Sequence, residues 1–173
     1  MIRKTSLFLA ALLCSVFSLV AQTEAPKYGH MNLGNLLDGL PETAKAEAQL
    51  RVFADSLNRK DSLLTSAFQA AVAQFRKQYD EQTLTGIQIS QRQEALEKER
   101  QEIQKFEQDA QKAVETKRNE LLQPILVRIN EAIQAVAAEN GFTMIFDVSS
   151  GAMLFAAETI DVTALVKKKL GVE

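Results

Sequence analysis

The residues of this chain that could do covalent or proton chemistry are few and scattered. One histidine, His30, and one cysteine, Cys14, serve 173 residues. A metal site needs several His, Cys, Asp or Glu ligands converging on one point, and none stands near His30 at useful spacing. His30 therefore reads as a histidine on the surface of a strand. Ser149-Ser150-Gly151 lacks the flanking pattern of a nucleophile elbow. No Gly-rich phosphate loop of the Walker or dinucleotide type occurs. Asp147 is a solitary acid suited to steadying a turn. The run Glu97-Lys98-Glu99-Arg100-Gln101-Glu102 mixes charges of both signs, as a solvated helical face does. No catalytic, metal-ligating or cofactor-binding residue is assigned, and the expectation is a protein that is not an enzyme.

With no chemistry to position, the elements themselves become the subject. Arg3 and Lys4 precede an uncharged apolar run from Leu7 to Val20, and Ala21 offers a small residue for cleavage. That order is the pattern of a secretory signal peptide, assigned to residues 1–21, and it implies export. Cys14 sits inside the apolar run behind Leu13, where a lipoprotein signal would have a small residue, so it reads as one more apolar side chain. Of the 20 Lys and Arg, Arg3 and Lys4 would leave with the signal, giving 18 basic against 22 acidic side chains. Such a balance gives no electrostatic reason to bind nucleic acid. No later apolar run approaches the roughly 20 residues of a membrane span, so no integral membrane segment is expected in the mature chain.

Residues 22–40 read as a linker ending at Pro26, a short strand over 27–33 and a turn or short helical link from Gly34 to Gly39. Pro41-Glu42 suits a helix start, since proline tolerates the first turn and a carboxylate favours the positive end of the dipole. After Pro41, up to about Asp80, there is neither Gly nor Pro, and strong helix formers dominate. Such a helix is roughly 60 Å long. A second helical stretch runs from about Ile89 to Asn140 and stops at Gly141, a left-handed cap. Thr83-Leu84-Thr85-Gly86 between them is a turn signal.

Apolar residues recur every 11 positions: Phe53, Leu64 and Phe75; Leu57, Phe68 and Tyr79; Ile103, Val114, Ile125 and Val136. That period gives a nearly straight seam or a slight right-handed supercoil. If the chain reverses at Thr85-Gly86, one register sets Ala46 against Ile125, Leu50 against Leu121, Leu57 against Val114, Phe68 against Ile103 and Phe75 against Leu96. The reading is a long antiparallel hairpin over residues 41–130, held by a narrow apolar stripe. Its outer third is poor in large apolar residues and is expected to be least stable. Leu84, Ile87 and Ile89 are the candidate contact point at the tip. Pro124 removes a backbone donor and clashes with the carbonyl of Glu120. It marks either a hinge where the rod leaves its base or a fixed kink, and a kink alone shows no motion.

Residues 131–173 form the expected base with the first strand. Phe142, Met144, Phe146 and Val148 alternate with Thr143, Ile145 and Asp147, a strand pattern. Ser149-Ser150-Gly151 turns the chain, and residues 152–156 read as a returning strand that completes a hairpin. Asp161 caps a last helix with Val162, Leu165 and Val166 on one face, and Gly171 stops it. So small a base has a marginal core and open sheet edges. The expectation is that several chains pool their strands and final helices.

The order of these segments resembles the Skp/OmpH family of periplasmic chaperones. The likeness rests on Tyr28-Gly-His-Met-Asn-Leu-Gly-Asn-Leu-Leu, on the glycine-poor hairpin, on Leu121-Leu-Gln-Pro-Ile-Leu-Val-Arg-Ile-Asn-Glu-Ala-Ile, on Val136-Ala-Ala-Glu-Asn-Gly-Phe-Thr-Met-Ile-Phe-Asp, and on Ile160-Asp-Val-Thr-Ala-Leu-Val. It implies an α+β fold, a coiled-coil tentacle on a small β-sheet base with a C-terminal helix, assembled as a homotrimer. It implies export to the periplasm and ATP-independent holding of unfolded outer-membrane β-barrel proteins between the arms. It supplies no catalytic residue. A structural or adaptor rod that bridges envelope complexes through its tip is the alternative.

Overall fold

A computed structural model describes residues 25–151, 153–157 and 160–172. The assigned signal peptide, residues 1–21, lies outside the described residues. The elements follow in the order β1 (Lys27–Met31), α1 (Leu33–Asp38), α2 (Pro41–Asp80), α3 (Gly86–Asn140), β2 (Phe142–Asp147) and α4 (Thr163–Leu170).

Local chemistry sets most of the boundaries. The Asn32 side chain caps α1 by accepting from Asn35 N at 2.8 Å, which satisfies an otherwise orphaned donor. Pro41 opens α2 at its first position with Glu42 in the first turn. That helix ends at Asp80, and Gln82 turns the chain with φ 54°. The second long helix starts at Gly86, three residues ahead of the expected Ile89. Thr85 and Gln88 form a capping box: the Thr85 side chain accepts from Gln88 N, and Gln88 Oε1 accepts from Thr85 N at 2.9 Å. The Thr-x-x-Gln signal was present in the sequence and outweighs the poor helix propensity of Gly86. Helix α3 runs through Pro124 and ends at Gly141, whose φ of 69° is the left-handed cap.

Strand β1 pairs in parallel with β2, Tyr28 opposite Met144, His30 opposite Phe146 and Met31 opposite Asp147, with an irregularity between Lys27 and Tyr28. A parallel pair needs a crossover connection. Here α1, α2 and α3 together are that connection, so the arm is an outgrowth between two neighbouring strands. The expected β-hairpin is corrected. Residues 153–157 form no strand, and Ala152 lies outside the described residues. The edge of β1 away from β2 is bridged by Asp161, and Val162 N donates to His30 O at 2.9 Å. Nonlocal pairing with β1 thus takes the place of the local hairpin.

Met31, Leu36, Leu40, Ala46, Ile125, Ile129, Ala132, Val136, Val162 and Val166 form the buried core. All lie in the base or in the root of the arm. Val162 and Val166 face this core while Leu165 is exposed, against the expectation that the three share one face. Residues 162 and 166 are one helical turn apart, and Leu170 continues their stripe. Between residues 47 and 124 no side chain is buried.

Candidate functional site

The hairpin itself is the extended feature that could do work. Its two helices are locked at the root by Arg128, whose guanidinium donates to Glu42 Oε1 at 2.6 Å. Further out the seam is loose. Leu57 and Val114 line one open cleft of about 450 Å³ together with Ala54, Phe106 and Ala110. Phe68 and Ile103 line the next, with Leu64 and Ala71. The register read from the apolar spacing therefore places those residues together. Phe106 was missed, although it stands three residues after Ile103 on the same face; its ring is half-buried, with Lys60 Nζ at 4.8 Å from the centroid. Asp61 Oδ1 and Gln78 Oε1 are covered and without a partner among the described residues. Such groups weaken a seam, because a covered polar atom without a hydrogen bond costs stability.

The outward faces are charged and self-paired. Glu97 accepts from Arg100 at 2.7 Å and from Gln101 at 2.8 Å. The hydrogen bonds from Arg100 and then Gln101 hold the Glu97 carboxyl below its ordinary range. Lys77–Glu81, Lys98–Glu102 and Lys117–Glu120 are pairs within one helix. Exposed pairs of this kind contribute little stability.

The three tip residues are close but differ in environment. Leu84 and Ile89 are half-buried and line one cleft with Tyr79. Ile87 is 74% exposed. Pro124 is exposed on α3 next to the buried Ile125. In the base, Asp147 accepts from Ser149 N at 2.9 Å, Ser149 Oγ at 2.7 Å and Leu33 N at 3.1 Å, so it joins the end of β2 to the start of α1 as well as steadying the turn. His30 is corrected: it is 8% exposed, not on the surface. Its side chain reaches the chain segment before α4, which the strand pattern could not show. No group of three or more His, Cys, Asp or Glu that could hold a metal ion occurs among the described residues. No helix among them is long and apolar enough to cross a membrane.

Two long helices on a two-stranded parallel sheet and a closing helix make an unusual outline, and it is shared. The family model of OmpH-like outer membrane proteins matches residues 27–170, nearly the whole described chain. The chain belongs to the OmpH-like family. This is a family of chaperones, not of enzymes. Among solved structures, an OmpH-like outer membrane chaperone candidate from Caulobacter crescentus superposes with a TM-score of 0.70 at 18% identity, covering 84% of each chain. At that identity the likeness is one of fold. The search among curated proteins returned no match. Within this OmpH-like chain, the arm and the base have separate physical characters: the base holds the buried core, and the arm holds open clefts.

Proposed function

We propose that this OmpH-like chain is an ATP-independent periplasmic holdase that assembles as a homotrimer through its base and holds unfolded outer-membrane β-barrel proteins between its arms. One observation carries the reading: a hairpin of this length has no buried side chain from residue 47 to 124. A disordered client keeps its entropy when its contacts are weak and exchangeable, so a loosely packed arm with scattered apolar residues suits it better than a deep pocket. Val52 and Leu63, exposed on α2, offer such contacts. Residues 41–130 act as the arm, residues 22–40 and 131–173 as the base, and residues 1–21 as the export signal. Pro124 serves as the pivot at the arm's root.

The trimer is supported by apolar surface on the base. Leu154 is 98% and Phe155 85% exposed, and Tyr28, Met144 and Phe146 are also exposed. Tyr28 and Phe146 adjoin, with 6.2 Å between ring centroids, and adjoining exposed apolar groups mark an interaction site. Mass measurement of the purified protein, alone and with an unfolded barrel protein, tests the reading. The expected result is a trimer that keeps the client soluble at stoichiometric amounts without ATP. Aggregation of the client at the same rate with and without the protein would overturn it. A second reading, an adaptor rod, is favoured by the exposure of Ile87 at the tip. In that case substitutions at Leu84, Ile87 and Ile89 abolish one defined interaction and leave aggregation suppression intact.

A further inference from the structure

Neither core packing nor the holdase reading explains an imidazole inside the base. His30 lies on β1, between β2 on one edge and the Asp161 bridge on the other. Its Nε2 is 3.1 Å from Ala157 O. A carbonyl only accepts, so Nε2 carries the proton in this contact. Nδ1 is buried and has no partner among the described residues. The neutral ring, with its one N–H on Nε2, is the form this site satisfies. A second proton would place a donor without an acceptor, and a positive charge, where water is excluded.

One surrounding charge, the Asp161 carboxylate, offsets part of this, and the others are engaged elsewhere. Asp161 is the ionisable group that senses the ring. Burial pushes its carboxyl up, but hydrogen bonds from Thr163, and then the charge on His30, bring it below the ordinary range. Its Oδ1 already accepts from Thr163 N at 2.7 Å. Opposite His30 on β2 stands Phe146. The buried residues of α3 and α4 in this core, Ile125, Ile129, Ala132, Val136 and Val166, are all apolar. Glu139 and Lys169 of those helices pair with each other. Lys27 of β1 donates to Asn140 O, and Asp147 is occupied by Ser149 and Leu33. Glu158 lies outside the described residues.

What His30 holds is the chain before α4. Its ring fixes Ala157 O, and its own carbonyl accepts from Val162 N at 2.9 Å. Two and three residues before Ala157 stand Phe155 and Leu154, the most exposed large apolar side chains of the base. We propose that His30 is a pH-operated latch: the neutral ring pins the segment at Ala157 and Val162 to β1, and protonation loosens it. The latch stands on this chain's geometry; its consequence, a weaker assembly in acid through displacement of Leu154 and Phe155, rests on the trimer reading above.

Amide hydrogen exchange of the purified protein tests it, read at Val162 N–H and corrected for the intrinsic pH dependence of exchange. Between about pH 7.5 and about pH 5.5, protection at Val162 in the native chain falls about fivefold or more, while Ile129 in α3 keeps its own. His30→Gln keeps an N–H donor but takes up no proton, and its Val162 protection stays level. His30→Leu lacks the donor and is weakly protected at both pH values. If His30→Gln does not fold, the imidazole titration of the native chain by NMR decides, because loss of Val162 protection must follow it. Level protection in the native chain, or an equal loss in His30→Gln, overturns the latch. Mass measurement on the same samples separates the two ideas: switching at Val162 with no trimer at either pH overturns the assembly and leaves the latch standing.

Discussion

At the scale of residues, single polar groups organise the base more than their number suggests. Asp147 collects three donors and so ties two elements that are distant in sequence. The bonds from Ser149, backbone first and then hydroxyl, hold its carboxyl below the ordinary range. A carboxylate with a lowered folded-state pKa gives stability that is complete above its unfolded value, near about 3.9, and is lost as pH falls through the folded one. Asp147→Asn is therefore expected to lower stability at neutral pH by about 1 kcal/mol, a modest figure because the group is exposed. Thermal unfolding of both proteins along a pH series checks this; a difference that persists undiminished below the folded-state titration would contradict it. Leu36 is wholly buried among Met31, Leu40 and the α3 residues of the core. Leu36→Ala is expected to cost about 2–5 kcal/mol and to lower the denaturant midpoint of the base. His30 shows where residue type alone misleads: in an alternating strand it passes for a surface side chain, yet it is buried and its ring meets the carbonyl of Ala157, 127 positions away.

At the scale of elements, the arm is defined by its ends and not by its middle. Pro41, the Thr85–Gln88 capping box and Gly141 set the limits of the two helices that build it. All three are local signals, and two of them were read directly from the sequence. The third, at Thr85, was legible but overshadowed by the turn character of Thr-Leu-Thr-Gly. At the reversal, Gln82 adopts φ 54° with a side chain that disfavours it. Gln82→Gly is expected to relieve about 1 kcal/mol of that strain and to raise hydrogen-exchange protection at the tip. No change in exchange at residues 79–89 would argue against it. Pro124 costs the helix a hydrogen bond in its interior. If it serves as the pivot, Pro124→Ala stiffens the root, raises the thermal midpoint and narrows the range of client sizes held. A variant that is more stable yet holds every client equally well would make Pro124 a fixed bend.

At the scale of the whole molecule, stability and exposure are divided between base and arm. The buried side chains cluster where β1, β2, α4 and the roots of α2 and α3 meet. Apolar residues remain outside this cluster on the base, above all Leu154 and Phe155, and in the proposed trimer these are the ones a neighbouring copy covers. Replacing both with serine is expected to lower the measured mass from trimer to monomer at micromolar concentration while circular dichroism shows the helices largely kept. A trimer that survives the double substitution would place the assembly surface elsewhere.

The two long helices, the Pro41 start, the Gly141 stop, the reversal, and the facing of Leu57 with Val114 and of Phe68 with Ile103 were legible in the sequence itself. Each depends on bonds or contacts between near neighbours, or on a period that repeats along one helix, and short windows carry that information. The parallel pairing of β1 with β2, the use of the other edge of β1 by Asp161 in place of a return strand, and the burial of His30 were decided by the tertiary structure alone. They join residues more than a hundred positions apart, and a strand's alternation records which face is apolar without recording which neighbour will supply its hydrogen bonds.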